Sequence, residues 1–115
     1  MPSYKRERLE KILEREISNI IFTEVKNEKL KFVTITNVNL TGDLSLATVF
    51  YTILGDTEEQ KATEADLLDS KGFIKGILGK RLEVKKIPDL KFKYDESYEQ
   101  GNRIDNILKN LGKKE

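Results

Sequence analysis

The chain has 115 residues, with 21 basic and 20 acidic side chains, no cysteine and no histidine. That length suits one domain, residues 1–115, burying roughly 60–70% of its unfolded surface around a single core. The missing cysteine excludes disulfides, thiolate nucleophiles and zinc–thiolate sites, and the missing histidine removes the commonest general acid–base and transition-metal ligand, so no metal and no cofactor are expected. No apolar run exceeds three residues, which excludes a membrane span and leaves no signal-peptide core behind Met1-Pro2-Ser3; a cytoplasmic protein is expected.

Tyr4 to about Glu24 reads as an amphipathic helix. Leu9, Ile12, Leu13, Ile17, Ile20 and Ile21 share one face, and Lys5, Arg6, Arg8, Lys11 and Arg15 occupy the rest. Lys31 to Thr41 is rich in β-branched residues, but its alternation slips: Val33 and Ile35 share one phase, Val38 and Leu40 the other. A bulge near Thr36-Asn37 is needed to return both pairs to one side. Thr41-Gly42-Asp43-Leu44 supplies turn residues, and Leu46 to Leu54 follows as a second strand with Ala47, Val49, Tyr51 and Ile53 in phase; the two strands predict an antiparallel hairpin.

Thr57 to Leu82 reads as a helix that bends without ending. Thr57 and Gln60 have capping-box spacing, and Glu58 and Glu59 place negative charge where the helix dipole favours it. Leu67, Ser70, Ile74, Ile77 and Leu78 form one stripe across Ser70-Lys71-Gly72, where glycine and serine mark a kink. After a basic connection closed by Pro88, Leu90 to Tyr94 alternates as a third strand with Lys91 and Lys93 on its polar face. Ser97 to Leu111 predicts a short terminal helix, and residues 112–115 a frayed tail. Elements that each carry one apolar face predict an α+β domain, with helices on one face of a three-stranded sheet.

Charge changes sign at the bend. Residues 55–69 carry six acids against Lys61, whereas residues 70–93 carry eight bases (Lys71, Lys75, Lys80, Arg81, Lys85, Lys86, Lys91 and Lys93) against Glu83 and Asp89. Taken alone, this fits either a polyanion site or a solvated lysine-rich surface. Gly76-Ile77-Leu78-Gly79 matches the GxxG pattern of nucleic-acid-clamping loops, but Ile77 and Leu78 fall on the core stripe, so it reads as helix. Asp95 and Glu96, with Asp43 and Asp56 elsewhere, have no nucleophile, metal cluster or histidine beside them and do not read as catalytic carboxylates; Asp95 to Glu99 reads as a strand-to-helix junction whose acids satisfy free backbone N–H groups. Phe92 and Tyr94 read as core, and Phe50 as the one aromatic out of phase with it.

Seven segments in this order resemble the bacterial ribosome-binding factor A family: Val33-Thr34-Ile35-Thr36-Asn37-Val38, Asp43-Leu44-Ser45, Leu54-Gly55-Asp56, Gly72-Phe73-Ile74-Lys75, Leu78-Gly79-Lys80-Arg81-Leu82, Pro88-Asp89-Leu90-Lys91-Phe92 and Tyr94-Asp95-Glu96-Ser97. The resemblance spans about Arg6 to Leu111. It implies a type II KH-like fold in which an Ala-x-Gly kink, here Ser70-Lys71-Gly72, replaces the GxxG loop. It further implies a non-enzymatic, cold-adaptive assembly factor, monomeric when free. Such a factor binds the immature 30S subunit and its 16S rRNA near the precursor's 5′ end and leaves with the help of an assembly GTPase. The residues expected to meet RNA are Lys71, Lys75, Lys80, Arg81, Lys85 and Lys86, with Lys91, Lys93, Arg6 and Arg8 secondary. A rival reading is an adaptor docking on a ribosomal protein or GTPase through the acidic face from Glu58 to Asp69.

Overall fold

A computed structural model of the chain describes residues 4–82 and 86–96. The order is α1 (Tyr4–Thr23), a 3₁₀ turn (Glu28–Phe32), β1 (Val33–Leu40), β2 (Leu46–Ile53), α2 (Thr57–Asp69), α3 (Lys71–Leu82) and β3 (Asp89–Tyr94). The sheet order is β1-β2-β3, with β1 antiparallel and β3 parallel to β2. The helix expected over 97–111 lies outside the described residues.

The register shift expected in β1 is present between Ile35 and Asn37. Because of it, Ile35, Val38 and Leu40 are all buried, despite lying in opposite phases of the sequence. Thr36, at the bulge, donates through its hydroxyl to Asp95, just past β3. In the hairpin loop, Leu44 takes φ 62°, and Asp43 Oδ1 accepts from the Thr41 hydroxyl, the Ser45 hydroxyl and the Ser45 N–H. Those bonds, led by the Ser45 hydroxyl, pull the Asp43 carboxyl down to about 2.

One face of the sheet carries Ala47, Val49, Tyr51, Ile53 and Leu90, and all three α-helices cover it. Leu13, Ile17 and Ile20 from α1, Leu67 from α2, and Ile74 and Leu78 from α3 complete a single core, each fully buried. Burying a side chain of this size stabilises the fold by about 1.5–3 kcal/mol. Phe92 and Tyr94 meet the Tyr51 ring edge-on at 6.4 and 5.6 Å between centroids, as core-facing aromatics should. Burial pushes the Tyr51 phenol up to about 12.

One expectation at the start of α2 is corrected. The cap is Asp56, whose Oδ1 accepts from the Glu59 N–H at 2.8 Å; Thr57 is the first helical residue. Gln60 instead reaches back to the Gly55 carbonyl at 3.1 Å. At the bend, Ser70 stays in the right-handed helical region (φ −86°, ψ −3°). Its N–H donates to the Asp66 and Leu67 carbonyls, and its own carbonyl accepts from Ile74. Hydrogen bonding therefore runs through the kink.

Candidate nucleic-acid interface

Helix α3 leaves the bend with Lys71 and Lys75 on successive turns, and both ammoniums converge on one carboxylate oxygen of Asp89, at 3.7 and 3.6 Å. Asp89 opens β3, its N–H donating to the Ser45 carbonyl at 2.9 Å. The Lys71 ammonium is the main reason its carboxyl lies below the ordinary 3.8, with Lys75 adding to the effect. The two lysine side chains remain 37% and 40% exposed, so solvent and ligands still reach them. Leu90 faces the core, which turns Lys91 and Lys93 to the other face of the sheet, where both are exposed and no helix among the described residues covers them. Among the described residues β3 pairs only with β2 and is an edge strand. Four ammoniums therefore flank one sheet edge, two from the helix side and two from the open side.

The remaining candidate residues are not gathered there. Lys80 and Lys86 are exposed, in the last turn of α3 and in the connection to β3; Lys85 lies outside the described residues. Arg81 departs from expectation. Its guanidinium donates to the Asn19 amide oxygen at 2.8 Å and pairs with Glu16 at 3.4 Å and Glu24 at 3.6 Å, fastening α3 to α1. A cation with three partners of its own is poorly placed to neutralise phosphate. Arg6 and Arg8 belong to α1, which packs on β1 at the other edge, and Arg6 is half-buried.

The kink residues differ in what they do. The Ser70 hydroxyl donates to the Asp66 carbonyl at 2.9 Å, which favours bending. Gly72 is exposed, and a Cβ added there would have nothing within 4 Å, so packing among the described residues does not require glycine at this position. Leu78 is fully buried and Ile77 packs on the core, in keeping with Gly76–Gly79 as helix. Phe50 is half-buried on the sheet face opposite the helices, in register with Asn37 on one side and Lys93 on the other. The carboxylates hold structural posts: Asp43 in the hairpin loop, Asp56 at the cap, Asp95 bonded to Thr36. Among the described residues no cluster of three or more acidic, histidine or cysteine side chains could hold a metal ion.

Sequence reasoning did not find Asp89 as the shared partner of Lys71 and Lys75, nor the acids that take Arg81. No local spacing links residues 14 to 65 positions apart. Only the phase of Asp89, on the lysine side of β3, offered a hint.

A hairpin, two helices joined by a one-residue bend, and a third strand returning parallel make this a type II KH-like domain, with the bend where a GxxG loop would stand. The chain belongs to the ribosome-binding factor A family, whose profile matches residues 5–108. A ribosome-binding factor A from Macrococcus caseolyticus is 46% identical over 111 residues, covering 96% of this chain and 97% of its own. The solution structure of a Thermotoga maritima protein described as a putative ribosome-binding factor A superposes with a TM-score of 0.69 at 29% identity, over 81% of this chain and 89% of that one. A homology model of the Thermus thermophilus ribosome-binding factor A, fitted into a cryo-EM map of its 30S complex, shares the fold with a TM-score of 0.63 at 24% identity, over 77% of this chain and 93% of that one.

Proposed function

We propose that this protein is a non-enzymatic assembly factor. It binds the immature small ribosomal subunit and holds 16S rRNA phosphates along the α3–β3 edge through Lys71, Lys75, Lys91 and Lys93, with Lys80 and Lys86 as secondary contacts away from that edge. Membership of a family named for ribosome binding carries the reading, and the four ammoniums at one accessible edge supply its chemistry. Asp89 acts as a placeholder anion. It keeps two lysines oriented in the free protein and yields them to a phosphate, whose charge-assisted hydrogen bonds are stronger than exposed ion pairs. Contact through phosphates reads RNA shape more than sequence, as suits a factor that docks on a folded precursor. Support for maturation at the rRNA 5′ end, a monomeric free state and release aided by an assembly GTPase comes from the family resemblance.

Co-sedimentation of the full chain with purified small and large subunits, across a salt series, tests this. The expected result is retention by the small subunit alone, with log affinity falling against log salt by about 0.7 per phosphate neutralised on single-stranded RNA. Equal retention by both subunits, or a flat salt response, would reject it.

A further inference from the structure

Phe32 and Leu54 are large apolar side chains left 53% and 75% exposed. They are neighbours, because the Leu54 N–H donates to the Phe32 carbonyl at 3.2 Å and extends the β1–β2 ladder by one step. The first turns of α2 face them with Glu58, Glu59 and Ala62, and together with Lys29 these residues line an open cleft of about 290 Å³. Contiguous exposed apolar side chains rimmed by charge mark association surfaces more often than scattered ones do. The charge of the rim says what kind of partner fits. Lys29, the one cation lining the cleft among the described residues, is drawn to Asp66 at 3.9 Å, and that carboxylate also accepts from the Asn27 amide at 3.0 Å. Glu58 and Glu59 are exposed and make no ion pair among the described residues. Phosphate would be repelled here, and a leucine beside a phenylalanine accepts an aliphatic or aromatic anchor more readily than a charged backbone.

We propose that this cleft docks a lysine- or arginine-rich protein segment carrying a bulky apolar side chain and, resting on the reading above, that the small subunit supplies it from one of its proteins. The cleft can act together with the lysine edge. Asp89, which holds Lys71 and Lys75, pairs with Leu46 at the start of β2, whereas Leu54 follows the end of that strand, so those two lysines and the cleft lie at opposite ends of the sheet.

The sign of one mutational effect separates this from a face that is idle or lies against RNA. E58K/E59K replaces two negative charges by two positive ones. General attraction to a polyanion then predicts tighter binding to small subunits, whereas a basic occupant predicts binding weaker by about fivefold or more. Leu54→Ser, at a position too exposed to matter to the core, should weaken binding by a similar factor with the melting temperature unchanged, and it decides the matter if the charge variant unfolds. A benzophenone side chain at Leu54 in the full chain, irradiated on purified small subunits, should crosslink to a basic segment of a subunit protein. Crosslinks to rRNA or to this chain's own residues 97–115, tighter or unchanged binding by E58K/E59K, or normal binding by Leu54→Ser would overturn the proposal while leaving subunit binding intact. Failure of the unaltered protein to bind small subunits would overturn the underlying reading and this inference with it.

Discussion

Asp89→Asn separates the placeholder role from an ordinary structural ion pair. The carboxylate oxygen sits 3.7 Å from Lys71 Nζ and 3.6 Å from Lys75 Nζ, so neutralising it frees two oriented ammoniums without shortening any side chain. If one further phosphate is neutralised as a result, the log–log salt slope steepens by about 0.7, and affinity at 0.1 M salt relative to that at 1 M rises about fivefold. Stability should change little, within about 4 °C in melting temperature at neutral pH, because both pairs are exposed. The pH dependence follows from the lowered carboxyl. Such a group stabilises the fold fully above its ordinary value of 3.8, and the contribution is lost as pH falls through the lower folded value. Melting temperatures of the two proteins should therefore converge at acid pH. The assay is small-subunit co-sedimentation over a salt series, with thermal melts in parallel. Unchanged or weaker binding, with an unchanged slope, would refute the idea that Asp89 competes with phosphate.

Gly72→Ala should raise stability by about 0.5–1 kcal/mol in urea titrations, since the site is open and its backbone ordinary, yet lower subunit affinity if the bend must approach the RNA backbone closely. Gly55→Ala should do the opposite to stability. With φ +140° and the new Cβ 3.1 Å from Glu59, a loss of about 1 kcal/mol or more is expected in the same titration. Arg81→Met should cost about 1–2 kcal/mol by detaching α3 from Asn19, Glu16 and Glu24, while the salt slope of subunit binding stays as it was.

Much of this architecture is legible in the residues, because each signal concerns near neighbours. The phase slip between Ile35 and Val38 requires a bulge, and the structure has one. Apolar residues at helical spacing on both sides of Ser70 require the stripe to continue, and Leu67, Ile74 and Leu78 are all buried. Capping was ambiguous for a physical reason. Asp56 to Glu59 and Thr57 to Gln60 both have the required spacing, and the structure uses the first, with Asp56 extended and Thr57 already helical. The parallel pairing of β3 was not legible, since one apolar face announces burial but not the neighbouring strand. Nor was the division of the basic residues. A run of lysine and arginine after the bend looks uniform in sequence, but the helix turns Arg81 toward the acids of α1 and Lys71 and Lys75 toward β3. The cleft at Phe32 and Leu54 was hidden because both residues adjoin strand ends and pass for part of them.

The most direct measurement is the salt slope of small-subunit binding for a variant with both Lys71→Gln and Lys75→Gln. Glutamine avoids gathering new acids around Asp89. If the α3–β3 edge holds rRNA, the slope becomes shallower by about 1.4, two phosphates' worth, with the melting temperature nearly unchanged. The same slope as the unaltered protein would contradict the account and leave these lysines as partners of Asp89 alone.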